Sequence, residues 1–254
     1  MSTIIYPSPI FGPVKSRRLG LSLGINLLPA DGKVCTFDCI YCECGFNSEN
    51  RPTLPLPTRQ DVGLALGHKL RQMAEQGQRP DVLTFAGNGE PTCHPDFAAI
   101  IGDTIQLRDR FCPTAKVSVL SNATMIHRPA VHDALMLVDN NIQKLDTIDP
   151  EFIGRVDRPT GAYDVNAVIE RLKTFNGHVI IQTMFLCGPD LDNTTPHYVE
   201  PWLQAVSDIK PQQVMIYTVD RETPDRSLRK ASRQQLDAIR DQVIAASIPC
   251  TASY

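Results

Sequence analysis

Residues 81–100 read "DVLTFAGNGEPTCHPDFAAI". An apolar run from Val82 to Phe85 gives way to a glycine-rich polar turn, and a proline-led apolar segment follows. A short apolar run without alternation suits a strand buried on both faces. A proline where an apolar-periodic segment opens suits the first turn of a helix. The stretch therefore predicts one strand–loop–helix unit of a parallel sheet, with its polar residues on the loop that leaves the strand.

The same order recurs along the chain. Strands are predicted at 24–29 (GINLLP), 81–87 (DVLTFAG), 116–122 (KVSVLSN), 142–149 (IQKLDTID), 178–188 (HVIIQTMFLCG) and 213–220 (QVMIYTVD). Helical segments alternate with them. The first carries Thr58 and Asp61 in cap spacing, then Leu64, Leu66, Leu70 and Met73, and stops at Gly77; the second has Pro95 in its first turn. The fifth has an early Pro201, and Ser232 with Gln235 forms a capping-box pattern at the head of the last. The stretch "NSENRPTLPLPT" reads as a surface loop, because the strand–helix rhythm resumes after it. A single domain over 1–254 is expected, with 1–23 an N-terminal extension packing on it. Six units are too few for a closed eight-stranded barrel, so an open barrel and a doubly wound sheet both fit.

Every chemically unusual group falls just after a predicted strand: the cysteine-rich "VCTFDCIYCECG" (34–45), then "GNGEPTCHP", "SNAT", "DTIDPE", "CGPD" and "DRETPDR". Parallel α/β architectures place active sites at that end of the sheet. The pattern points to an enzyme.

Composition narrows the setting. The chain has 254 residues, 42% of them hydrophobic, and a formal charge of −3, so no strong field draws it to nucleic acid or an anionic membrane. No stretch approaches the roughly 20 apolar residues that span a bilayer, and the first residues do not read as a signal peptide. A cytoplasmic protein is expected, and clustered cysteines in a reducing compartment are metal ligands or redox groups more often than disulfides.

Cys35, Cys39 and Cys42 form a CxxxCxxC loop short enough to converge on one centre. Thiolates suit zinc or an iron–sulfur cluster. A structural zinc site usually joins two such knuckles, and no second CxxC follows. A closed 4Fe–4S cluster needs four cysteines. Cys44 could be the fourth, but with a single residue between it and Cys42 it needs a sharp reversal; if it does not ligate, one iron stays open, as in a catalytic metal site. Phe37, Ile40 and Tyr41 would shield the centre. Gly87 and Gly89 let the backbone approach a ligand closely, and Glu90 is a carboxylate placed to accept hydrogen bonds from an amine.

With these motifs in place, the chain resembles the radical SAM superfamily. The resemblance rests on Cys35–Cys42 as CxxxCxxC, on Gly87-Asn88-Gly89-Glu90-Pro91 after the second strand, and on the six βα units. It implies an open partial (β/α)6 barrel with parallel strands and a 4Fe–4S cluster held by Cys35, Cys39 and Cys42. The remaining iron is chelated by S-adenosylmethionine, whose reductive cleavage yields a 5′-deoxyadenosyl radical that abstracts hydrogen from a substrate. By the same resemblance Gly89 and Glu90 lie by the methionine moiety and Tyr41 by the adenine, Gly87 and Asn88 are cofactor-binding, and Ser121, Asn122, Asp146 and Gln182 face the cofactor. The reaction class is oxidoreductase- or lyase-type, with a flavodoxin or ferredoxin as reductant. "FGPVKSRRLGLSLGINLLP" and "YTVDRETPDRSLRKAS" resemble a group similar to wyosine synthases, which implies a small-molecule or nucleoside-like substrate, or a tRNA. For a pyruvate-binding lysine the candidates are Lys15, Lys33 and Lys144. True wyosine synthases use a second cluster whose cysteines precede this loop, and no cysteine precedes Cys35.

Alternatives are a glycyl-radical-enzyme activase, an electron-transfer protein with Cys44 as fourth ligand, and a zinc-stabilised binding module. Ser16, Arg17 and Arg18 with Lys15 could grip a phosphate or carboxylate, or form a solvated turn. Arg155 and Arg158 could reach the substrate, and the basic run from Arg221 to Arg240 reads as a solvated helix face. Cys93, Cys112, Cys187 and Cys250 read as small buried hydrophobes, with Cys93 and Cys187, just past strands, the exceptions to watch. His68 and His94 read as structural.

Overall fold

The computed structural model describes residues 3–16 and 19–254. In chain order the elements are β1 (Ile10–Ser16), β2 (Gly20–Ile25), α1 (Arg59–Glu75), β3 (Val82–Phe85), α2 (Phe97–Phe111), β4 (Lys116–Ser121), α3 (Pro129–Leu135) and β5 (Asn140–Lys144). A short turn α4 (Pro150–Phe152) then runs into a π-helical turn at Ile153–Asp157. After it come α5 (Val165–Lys173), β6 (Ile180–Met184), β7 (Leu186–Gly188), β8 (Leu191–Asp192), α6 (Pro196–Ile209), β9 (Gln213–Tyr217), β10 (Arg229–Lys230), α7 (Arg233–Ala245) and β11 (Cys250–Ser253).

The main sheet has the order β1-β2-β3-β4-β5-β6-β9-β11, parallel from β2 to β11, with β1 antiparallel at one edge. Its two edge strands are not paired with each other among the described residues, so the curled sheet is an open half-barrel. Strand alternation sorts the two faces. Leu23, Ile25, Leu83, Phe85, Val117, Val119, Ile181, Val214 and Ile216 share one apolar core with helix residues such as Val62, Leu66, Ile100, Leu172, Trp202 and Ile239. The alternate residues face the other way and are more polar. There Ser22 and Thr84 share a 2.8 Å hydroxyl contact, and Asn140 donates to the Ser118 hydroxyl at 2.8 Å. A small apolar layer of Ile142, Ile180 and Met215 lies on that side.

Local signals explain the helices. Thr58 and Asp61 close a capping box on α1, and Ser232 with Gln235 does the same for α7. Pro196 opens α6, which accommodates Pro201 without a break. Four expectations are corrected. Leu64 is exposed, because α1 buries the stripe Val62, Leu66, Leu70 and Met73, and Leu64 falls on the opposite side of the turn. Pro95 precedes α2, whose N-cap is Asp96. The first parallel strand starts at Gly20 and ends at Ile25, where Asn26 turns its side chain to accept the Leu28 N–H. The edge strands β1, of seven residues, and β11, of four, both partly exposed, extend the sheet beyond six units.

Beyond β6 a three-stranded sheet, ordered β10-β7-β8, sits over the carboxyl ends of the barrel strands. Its Leu186 and Leu191 pack with Ile40, Tyr41 and Phe46 of the cysteine loop and with Met184 and Val219. The loop is therefore seated on an apolar layer of its own.

Candidate active site

The loop between β2 and α1 carries the three cysteines and is stitched to the barrel on both sides. On one side Val34 donates to the Asn88 carbonyl at 2.9 Å and accepts the Glu90 N–H at 3.0 Å. Gly89 makes that approach possible: its φ is +127°, and a Cβ there would lie 1.9 Å from the Val34 carbonyl oxygen. On the other side Asp38 and Ile40 donate to the carbonyls of Asp157 and Val156 at 3.0 and 2.9 Å, and Thr160 donates to Thr36 at 2.9 Å. The π-turn thus frames the loop, a deviation often found at functional sites. Asn47 closes it from within, donating to the carbonyls of Cys35 and Phe37 at 3.3 and 3.2 Å. Its own Oδ1 is buried without a partner among the described residues.

Cys35, Cys39 and Cys42 are free and half-buried. Among the described residues no three His, Cys, Asp or Glu side chains converge tightly enough for a single metal ion. The thiols differ in character. Burial pushes Cys35 up to about 12 and Cys39 well above the ordinary thiol range. Cys42 is drawn down to about 6 by a hydrogen bond from Cys44, with Lys33 helping against burial. Cys44 is pushed up by the same bond, and its Sγ also lies within 3.4 Å of the Gly87 carbonyl, the other acceptor its single S–H can reach. The Asn122 amide lies 3.6 Å from Cys35 Sγ and donates to the Thr36 hydroxyl at 2.8 Å.

Glu90 is buried, and both of its oxygens are in use. Oε1 accepts the Thr92 N–H at 3.0 Å and its hydroxyl at 2.5 Å, while Oε2 accepts the Asn122 N–H at 2.6 Å. Burial pushes its pKa up against these bonds and one from Ser121. Asn88 is likewise occupied: its Oδ1 accepts the Tyr6 N–H at 2.8 Å, and its amide donates to Tyr6 and Pro29 at 2.9 and 2.8 Å. Gly87, with φ +137°, lies where a Cβ would meet the Asn26 side chain at 2.7 Å.

A second polar cluster stands at the ends of β5 and β6. Lys144 donates to Asp146, to the Tyr41 hydroxyl and, at 2.8 Å, to Asp157; Tyr41 donates to Asp146 as well. Asp146 also accepts the Met184 N–H at 2.9 Å. Burial opposes the Lys144 ammonium, yet Asp146 and Asp157 hold its pKa well above the usual lysine range. Burial pushes Asp157 up to about 7 against the pull of Lys144. Gln182 pairs in register with Lys144, and its side chain has no partner among the described residues.

The sequence reading missed Asp157, Thr36 and Asn47 as site residues. Asp157 lay within "VDRPTG", where the arginines drew attention. Arg158 instead stacks on Phe46 at 4.9 Å and lies 3.4 Å from Asp38, bracing the cysteine loop. Arg221 pairs with Glu43 at 2.6 Å beside the loop. His94 is structural, with one ring nitrogen on the Pro57 carbonyl and the other accepting the Asp96 N–H. Cys112 is buried in the core, whereas Cys93, Cys187 and Cys250 are half-buried. Arg17 and Arg18 lie outside the described residues.

No protein-family model matches the chain. Its fold is that of radical SAM enzymes of known structure. A radical SAM methyltransferase from Sphaerobacter thermophilus superposes with a TM-score of 0.69 at 14% identity, over 92% of this chain and 66% of that one. Streptococcus suis SuiB bound to S-adenosylmethionine gives 0.65 at 15%, over 90% and 50%, and archaeal TYW1 gives 0.55 at 11%, over 89% and 72%. Among curated proteins, the GTPase Obg of Brachyspira hyodysenteriae is 28% identical over 90% of this chain, which spans only 32% of that protein's length. A UPF0026 protein of Helicobacter pylori is 31% identical, covering 87% of this chain and 67% of its own length, and one of Synechocystis is 30% identical, covering 85% and 77%. That identity, sustained over most of both relatives, makes the chain a member of the UPF0026 protein family.

Proposed function

We propose that the protein is a radical SAM enzyme with Cys35, Cys39 and Cys42 as the ligands of a 4Fe–4S cluster. The observation that carries this is the donor set: three free thiols on one loop, held at the carboxyl ends of the strands of a radical SAM-type half-barrel. The residues fit the group. The cysteine spacing and soft ligand chemistry suit a cluster gripped at separate corners, and two buried ammonium groups, Lys33 and Lys144, act electrostatically on the thiols. When bound, such a cluster supplies one electron to S-adenosylmethionine, giving a 5′-deoxyadenosyl radical that takes a hydrogen atom from the substrate.

The chain's own residues divide the work. The Cys44 thiol has acceptors within the protein, Cys42 and the Gly87 carbonyl, which favours three protein ligands and an open position over the four-cysteine, electron-transfer alternative. Gly87 and Gly89 bring bare backbone to the loop, where the methionine end of the cofactor would lie. Glu90 and Asn88, fully bonded within the protein, set the shape of that turn. Asn122 fixes Cys35 through Thr36. Tyr41, Asp146 and Gln182 would meet the nucleoside end, with Gln182 offering the free polar group.

We keep the affinity with wyosine-synthase-like proteins, but the lysines do not favour the pyruvate reaction. Lys144 is locked between carboxylates, Lys33 is buried on a carbonyl, and Lys15 lies exposed on the edge strand β1. The polar inner face favours a small, polar, nucleoside-like substrate. A peptide is the second reading, since SuiB also has a structure with its precursor peptide bound. A flavodoxin or ferredoxin would supply electrons, and eight free cysteines suit the reducing cytoplasm. The test is product analysis: the anaerobically reconstituted protein with dithionite and S-adenosylmethionine should release 5′-deoxyadenosine and methionine. Intact S-adenosylmethionine after prolonged reduction would refute the proposal.

A further inference from the structure

Lys144 spends all three of its N–H donors on the protein. Its ammonium donates to Asp157 Oδ1 at 2.8 Å, to Asp146 Oδ2 and to the Tyr41 hydroxyl. That hydroxyl in turn donates to Asp146 Oδ2, so Lys144, Tyr41 and Asp146 close a ring of bonds. Asp146 is held from behind, its Oδ1 accepting the Met184 N–H at 2.9 Å. Both carboxylate residues are buried, which shields the bonds from water. The cluster thereby joins the cysteine loop, the end of β5 and the π-turn.

The cysteine loop has other means of staying in place. Asp38 and Ile40 donate to the π-turn carbonyls of Asp157 and Val156, and Val34 bonds to the loop after β3 on the opposite side. Ile40 is buried in the apolar layer with Phe152, Val156 and Leu191. These contacts leave open the direction of the Tyr41 side chain, which packs half-buried on that layer. The hydroxyl bonds settle it. A phenol pinned at its hydroxyl holds its ring ready, and a pre-ordered surface loses less freedom on binding than a mobile one. With its one polar atom in use, the ring is left to meet a ligand through its apolar surface.

We infer that Lys144 is a positioning residue for the nucleoside end of S-adenosylmethionine: it pins the Tyr41 ring as a platform for the adenine. The inference rests on the radical SAM reading proposed above. Lys144 acts through Tyr41 rather than on the ligand itself, and no proton or bond is exchanged.

The test is a double-mutant cycle of Tyr41→Phe and Lys144→Gln, with Lys144→Arg as the conservative variant. Each protein is reconstituted anaerobically and its iron counted per chain. Labelled S-adenosylmethionine is then bound by equilibrium dialysis without reductant, so that affinity is read and turnover is not. Tyr41→Phe keeps the ring and removes the hydroxyl, while Lys144→Gln removes the charge. Because backbone bonds hold the loop, all the variants should load as much iron as wild type. Each single change should raise the dissociation constant about fivefold, and the double variant also about fivefold rather than the roughly 25-fold of independent sites. Lys144→Arg, with charge and donors kept, should bind within about threefold of wild type. If Lys144→Gln does not fold, Asp157→Asn, which weakens the hold on the same ammonium, takes its place in the cycle with the same non-additivity expected.

Wild-type affinity in a fully loaded Tyr41→Phe would overturn the inference, as would additive effects in the cycle, and either would leave the cluster reading standing. Loss of iron from both Tyr41→Phe and Lys144→Arg, with wild type loaded, would also overturn it by making the cluster of bonds a scaffold. A wild type that takes up no cluster, or that binds no S-adenosylmethionine once loaded, would sink the radical SAM reading and this inference with it.

Discussion

The Glu90 carboxylate accepts the Asn122 backbone N–H at 2.6 Å and so ties the loop after β3 to the loop after β4. Both loops touch the cysteine segment, Glu90 through its own N–H to Val34 and Asn122 through Thr36. One buried acid therefore holds three strand-end loops in register.

Replacing Glu90 with alanine should loosen that junction. The Asn122 N–H and the Thr92 N–H and hydroxyl would lose a buried acceptor, at a cost of about 1–3 kcal/mol for such a group. Chemical denaturation should report the loss, and cluster loading should fall with it. Wild-type stability in Glu90→Ala would mean that the loops are held by other contacts.

Gly89 tolerates no side chain. With φ at +127° and a Cβ position 1.9 Å from the Val34 carbonyl, Gly89→Ala must break the Val34–Gly89 bridge and the Glu90 N–H bond to Val34 that belongs to it. A left-handed strain of this kind costs about 1–3 kcal/mol before the clash is added. Reconstituted Gly89→Ala should hold well under half the wild-type iron, whereas Gly63→Ala, in open space on α1, should be neutral in the same assay.

Asp157 predicts a pH dependence of stability. Its pKa is raised by burial from 3.8 to about 7, so between these values the native state keeps a proton that the unfolded chain has released. Stability from this group is full below about pH 4 and falls as pH rises toward 7. Urea midpoints of the metal-free protein, followed across that window, should decline for wild type relative to Asp157→Asn. Parallel curves would show that Asp157 titrates normally.

Cys44→Ser separates the two cluster models without chemistry on the substrate. If the thiol only donates to Gly87, serine keeps a donor there and the iron content stays at the wild-type level, while Cys39→Ser loses most of it. A Cys44→Ser protein as empty as Cys39→Ser would make Cys44 a ligand.

Much of this arrangement is legible in the chain. Runs such as Val82–Phe85 announce parallel strands because both faces are covered, and the polar groups after them fall at the carboxyl ends. The edge strands are not legible in this way: β11 is four residues of CTAS, without the apolar run that marks a strand covered on both faces. Cys35, Cys39 and Cys42 are singled out as candidate ligands by their spacing alone. Asp157 and Asn47 are not, since their roles come from a π-turn and a loop closure that bring residues distant in sequence together. Asn88 shows the converse: its motif position invites a ligand role, while the fold uses its amide to hold Tyr6 and Pro29.

The most direct measurement is EPR of the reduced, reconstituted protein with and without S-adenosylmethionine. The account predicts a 4Fe–4S signal that changes shape when S-adenosylmethionine is added, in wild type and Cys44→Ser alike. A signal indifferent to S-adenosylmethionine and abolished in Cys44→Ser would contradict it, placing four cysteines on the cluster and leaving no open iron.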